Sequence, residues 1–106
     1  MSGRTPYKAA RCSDIALGKT QAVDLAGEDV LLCHTKEGFF AVSNLCSHAA
    51  AKLCDGKLKG MRLLCPLHGA AFDVRDGSAL SRPASKPIQT FETVVEGDDV
   101  LVFLNE

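Results

Sequence analysis

Cys46-Ser-His48 and Cys65-Pro-Leu-His68 are the two stretches on which the reading of this 106-residue chain turns. Each offers one thiol and one imidazole, and sixteen residues separate His48 from Cys65. Thiolate is a soft donor and imidazole a neutral one, and together they suit zinc or iron bridged by sulfide. One reading is a tetrahedral Cys2His2 zinc site that stabilises a small binding module. The other is a [2Fe–2S] centre in which two Cys hold one iron and two His hold the other. Familiar zinc spacings pair Cys with Cys and His with His. Here each stretch is mixed, which favours the cluster. Two neutral imidazoles in place of two thiolates remove two negative charges, so an added electron meets less repulsion and the potential rises.

The surroundings of the two stretches extend the pattern. They run Cys46-Ser-His48-Ala-Ala-Ala-Lys-Leu-Cys-Asp-Gly56, then Cys65-Pro-Leu-His-Gly-Ala-Ala-Phe-Asp73, then Asp76-Gly77. Pro83-Ala-Ser-Lys-Pro87 and Glu96-Gly-Asp-Asp-Val-Leu-Val102 follow. On these residues the chain, from about Tyr7 to Leu104, resembles the Rieske ferredoxins of bacterial aromatic-ring dioxygenase systems. The resemblance implies a single domain over residues 1–106. It implies an all-β, Rieske-type antiparallel β-sandwich with an inserted cluster-binding β-subdomain at about residues 43–87. It implies one [2Fe–2S] cluster of Rieske type, held by Cys46, His48, Cys65 and His68. The implied partners are a flavin-containing NAD(P)H-dependent ferredoxin reductase and a terminal Rieske oxygenase. The implied role is one-electron carriage between them in the cytoplasm, by a monomer that turns over no substrate itself. A small subunit of a larger oxidoreductase is the alternative within the same chemistry.

The sequence departs from the high-potential Rieske proteins that it otherwise resembles. Those carry an extra Cys in each ligand loop, joined as a disulfide, where this chain has Ala51 and Leu67. They place a Ser and a Tyr as donors to the cluster's sulfur ligands where this chain has Ala70 and Phe72. Fewer donors leave the reduced, more negative centre less stabilised, so the resemblance implies a potential at the low end of the Rieske range, roughly −150 mV.

Composition narrows the classes further. Twelve basic and thirteen acidic side chains leave a net charge of −1, which gives no general attraction to nucleic acid. No charged-then-apolar leader and no apolar run near a membrane's thickness is visible, so neither secretion nor a membrane anchor is expected. Cys12, Cys33 and Cys54 remain after the two ligand stretches and read as reduced thiols of a cytosolic protein. An oxygenase with its own catalytic iron needs two His and a carboxylate. One His remains, His34, which reads as a hydrogen-bonded structural residue of an apolar strand. Charge is uneven along the chain. Residues 43–87 carry seven basic and three acidic side chains, or +4; the remainder carries five and ten, or −5.

Taken in order, Tyr7–Cys12, Thr20–Leu25, Val30–Thr35 and Phe39–Val42 read as strands, the last two joined by a short Gly-containing loop. Met61–Leu64 is a short apolar strand leading into Cys65, and Phe72–Leu80 a hairpin turning at Asp76-Gly77. Asp55-Gly56 and Lys59-Gly60 are turn signals. Pro83 and Pro87 bracket a stiff loop. Gln89–Val95 and Val100–Leu104 make the last hairpin, around the polar turn Glu96–Asp99. Gly69 permits a tight turn after His68, and Pro66 stiffens the second stretch. Cys54 reads as a small residue in a turn.

Overall fold

The computed structural model describes residues 5–47, 51–67, 69–81 and 86–104. The strands are β1 (Pro6–Arg11), β2 (Thr20–Leu25), β3 (Glu28–Thr35), β4 (Gly38–Ser43), β5 (Lys57–Lys59), β6 (Arg62–Leu64), β7 (Ala71–Asp73), β8 (Ala79–Ser81), β9 (Thr90–Glu96) and β10 (Asp99–Phe103). Every pairing is antiparallel. Six strands form one sheet in the order β1-β10-β9-β4-β3-β2, and four form another in the order β5-β6-β7-β8. The second sheet is inserted in the chain between β4 and β9, which pair only at Ala41–Phe91 and Val42–Thr90. β1 and β2 stand at opposite ends of the larger sheet yet touch, so that sheet curls on itself.

β3 explains how one chain supports two cores. A strand sends alternate side chains to opposite faces. Val30 and Leu32 enter the interior of the curled sheet with Ala41, Phe91, Val100 and Val102. Leu31 and Cys33 point the other way, onto Leu53, Leu63, Phe72 and Ile88 beneath the small sheet. All four are fully buried, as a continuous apolar run covered on both faces requires. β4 repeats the division: Phe39 packs on the first core and Phe40 on the second.

Turn chemistry sets the boundaries. Ala26 (φ 54°) and Gly27 (φ 91°) both occupy the left-handed region between β2 and β3, and the Gly27 N–H donates to Asp24 Oδ1 at 2.8 Å. That two-residue turn pulls the start of β3 back to Glu28, two residues before the first apolar side chain. β5 is a strand where the sequence showed only turn residues. Lys57-Leu-Lys59 alternates, with Leu58 turned toward Leu63 and both lysines outward. Gly60 at φ 62° supplies the reversal into β6. Two three-residue 3-10 turns, Cys12–Asp14 and Leu53–Asp55, are the helical elements among the described residues.

Candidate metal centre

Cys46 follows β4 and Cys65 follows β6, and both are buried in the second core. The two loops close in the same way. The Cys46 N–H donates to the Ala51 carbonyl at 3.0 Å, and the Cys65 N–H donates to the Ala70 carbonyl at 2.7 Å. In each the hydrogen bond spans five residues and leaves the cysteine at the loop's base. The two thiols are neighbours, and the Leu67 backbone N–H lies close to the Cys65 sulfur. Burial pushes the Cys65 thiol up, the Leu67 N–H pulls it down, and the neighbouring Cys46 raises it again. None of the five cysteines forms a disulfide.

His48 and His68 lie outside the described residues, as do Ala49, Ala50 and Pro83. Among the described residues no three of His, Cys, Asp or Glu gather as a metal site. What the described residues show is two buried, neighbouring thiols, each at the base of a short loop. Such a pair suits a metal that takes thiolates, because a bound cation favours the deprotonated sulfur that coordinates it.

One residue that the motif reading passed over holds the first loop. Asn44 is 1% exposed and makes polar contacts on every side. Its Nδ2 donates to Asp29 Oδ1 at 3.1 Å and contacts Cys54 Sγ at 3.4 Å, and its Oδ1 accepts from the Cys54 N–H at 2.8 Å. Its backbone N–H donates to the Asp29 carbonyl, and its carbonyl accepts from the Leu53 N–H. Asp29 in turn pairs with Lys52 at 3.1 Å. The segment from Asn44 to Asp55 is thereby fastened to β3 at both ends. The signal available in the sequence was a single Asn between an apolar strand and Cys46, which alone reads as a turn residue.

Gly56 was likewise read as a turn residue. A Cβ there would run into the Leu64 carbonyl, so glycine lets the first loop's end lie against the residue before Cys65. Ser47 Oγ donates to the Lys86 carbonyl at 2.6 Å, and Ser81 Oγ to the Gly69 carbonyl at 3.2 Å. Gly69 has φ 73°, which accounts for glycine after His68. Ala70 and Phe72 are fully buried, while Pro66 and Leu67 are exposed.

Residues expected to be structural are so. His34 Nδ1 is 2.8 Å from the Ile15 carbonyl, and its ring stacks on Phe39 at 4.1 Å. Cys33 is fully buried, and burial pushes its thiol up to about 12, which suits a small core residue and opposes ligation or reactivity. No helix among the described residues is long and apolar enough to cross a membrane.

The family model described as the Rieske [2Fe-2S] domain matches residues 5–92. The ferredoxin component of biphenyl 2,3-dioxygenase from Rhodococcus jostii (strain RHA1) is 40% identical over 97 residues, covering 92% of this chain and 91% of that protein. The ferredoxin of carbazole 1,9a-dioxygenase from Nocardioides aromaticivorans IC177 superposes with a TM-score of 0.89 at 35% identity, covering 92% of this chain and 96% of that one. A chain in a complex of reduced oxygenase and oxidized ferredoxin in carbazole 1,9a-dioxygenase superposes with a TM-score of 0.87 at 32% identity, covering 92% and 91%. This chain belongs to the Rieske [2Fe–2S] family, and membership implies one Rieske-type cluster.

Proposed function

We propose that this member of the family is the one-electron carrier of an aromatic-ring dioxygenase system. It takes electrons from a flavin-containing NAD(P)H-dependent reductase and passes them to a terminal oxygenase. The observation that carries this is near-complete mutual coverage with ferredoxin components, joined to two buried, neighbouring thiols at the base of matched loops. In this reading the whole chain acts as one cytoplasmic, monomeric domain, with residues 43–87 as its cluster-bearing part.

Cys46 and Cys65 would hold one iron, and His48 and His68 the other. When bound, the cluster supplies reversible one-electron chemistry. The chain's own residues do the rest. The Leu67 backbone N–H beside Cys65 favours negative charge on its sulfur. The exposed Pro66 and Leu67 of the second loop, with Leu45 beside the first, offer a low apolar rim for a short-lived encounter. Substrate turnover is assigned to the partner. After two His are committed to the cluster, His34 alone remains, and Ile15 already holds it.

The test is the purified protein's colour and paramagnetism. A visible absorption that bleaches with dithionite and a Rieske-type electron paramagnetic resonance signal are expected. His48→Ala and His68→Ala should each abolish the signal, and its persistence would refute the ligand assignment. A colourless protein with one zinc per chain would instead establish the binding-module reading.

A further inference from the structure

The basic excess of residues 43–87 is scattered in the sequence, but the structure sorts it. Lys52 is held by Asp29, and Arg75 by Asp73 and Glu37. Three others stand together. Lys57 and Lys59 point outward from β5, and Arg62 lies directly across from Lys59 on β6. Lys19, just ahead of β2, faces them across a cleft of about 290 Å³ to which Lys57 and Lys59 contribute. All four side chains are exposed, and among the described residues none has an ion pair.

Like charges directly opposite on paired strands are destabilising, so Lys59 against Arg62 weakens the hairpin of the free protein. Lysines on the edge strand β5 discourage sheet-to-sheet association. That need does not extend to Arg62, on an inner strand of the small sheet, or to Lys19, in the base. The strip also runs against the chain's net charge of −1. It ends beside the proposed ligands. Lys57 stands opposite Leu64, the residue before Cys65, and a second hollow is shared by Lys57, Cys65, Pro66, Gly69 and one carboxylate, Asp55. Asp73, across from Arg62 on β7, is already paired with Arg75, so with that pair set aside four cations against Asp55 leave a local charge of +3 alongside the second loop.

We propose that Lys19, Lys57, Lys59 and Arg62 form a basic docking strip for an acidic patch on the protein that exchanges electrons with this chain. The proposal rests on the carrier function above. Such a strip steers encounter and fixes orientation more than it adds affinity, and it places the partner's surface along the approach to the Cys65 loop.

The experiment mixes the dithionite-reduced holoprotein with hexacyanoferrate(III) in a stopped-flow instrument. One electron leaves the protein and yields hexacyanoferrate(II); no bond or proton is exchanged. Between 10 mM and 200 mM salt the bimolecular rate should fall ~3- to 10-fold, because added salt shortens the reach of the positive strip. A cationic oxidant, tris(1,10-phenanthroline)cobalt(III), should show the opposite slope. Lys57→Glu and Lys19→Glu should each flatten or reverse the slope for the anion without moving the midpoint potential, whereas the charge-matched Lys8→Glu on β1 should not. Poly-L-glutamate serves as the acidic polypeptide probe. Calorimetric titration at low salt should show binding to the wild type and at least ~10-fold weaker binding to the Lys57→Glu protein. A wild-type anion rate that is flat or rises with salt, or poly-L-glutamate binding indifferent to Lys57 and Lys19, overturns the strip. A colourless preparation defeats the carrier function instead, and the calorimetric arm still decides the strip.

Discussion

Replacing Asn44 by Ala tests whether the first loop depends on a residue that is no candidate ligand. The substitution removes two well-formed side-chain hydrogen bonds, to Asp29 Oδ1 and from the Cys54 N–H, and a weaker contact to Cys54 Sγ. Each ordinary bond is worth about 1 kcal/mol net, and a buried donor left without a partner costs a further ~1–3 kcal/mol. Asp29 is partly exposed and keeps Lys52, so water offsets part of its loss. The Cys54 N–H has no such recourse while the 3-10 turn keeps its place. The expected cost is ~2–4 kcal/mol. If that loss falls on unfolding, a cost of about 3 kcal/mol speeds release of the cluster ~10²-fold. The assay is the decay of visible absorbance in moderate denaturant, with protein folded by circular dichroism at time zero. A double-mutant cycle with Asp29→Ala isolates the shared bond, and about 1 kcal/mol of coupling is expected. Asn44→Ala protein that loses its colour within ~3-fold of the wild-type rate would refute the reasoning. It would mean that the loop is held by its backbone bonds to Asp29 and Leu53 alone.

Three further outcomes follow from the same geometry. Gly56→Ala drives a methyl into the Leu64 carbonyl beside Cys65, so it should cost at least ~2 kcal/mol and lower cluster content per chain, measured by iron and sulfide analysis; normal iron content with wild-type thermal stability contradicts the close approach. Hydrogen bonding by the Arg75 side chain is the largest cause holding the Asp73 carboxyl below its ordinary 3.8. A depressed folded value means that the stabilisation is complete above about 3.8 and is lost as pH falls through the lower, folded value. Asp73→Asn should therefore cost stability near pH 6 and less below pH ~3.5, and denaturation curves with a pH-independent difference would count against it. Ala70→Ser and Phe72→Tyr should each raise the midpoint potential from an expected wild-type value of roughly −150 mV by adding a donor to a fully buried position; protein-film voltammetry that finds the wild type above zero, or both variants unmoved, removes the argument.

What the sequence could and could not show follows from where the decisive interactions lie. β2 was readable to the residue because Ala22 and Asp24 alternate against Val23 and Leu25, and the strand's two faces meet different surroundings. The run Val30-Leu-Leu-Cys33 was readable as a strand but not as the wall between two cores, since hydropathy does not say which of two buried faces a side chain takes. β5 was illegible for a related reason. Lys57-Leu-Lys59 has one apolar residue, and its strand character comes from pairing with Arg62–Leu64 across a two-residue turn. The candidate ligand stretches stand out because metal chemistry restricts residue type and spacing at once. Their supports do not. Asn44 works through Asp29, fifteen residues back, and Cys54, ten residues on. Gly77 works through Ile88, whose N–H it accepts at 2.9 Å and whose carbonyl a Cβ would strike. Each support is an ordinary polar or small residue whose meaning is a long-range partner. The two cysteines can be found from a pattern, but the burial, loop closure and fastening that make their thiols neighbours belong to the folded chain. A carrier must change charge without changing shape, so its ligand loops have to be fixed by groups that take no part in the redox change. Asn44, Gly56 and the paired loop closures at Cys46 and Cys65 are such groups.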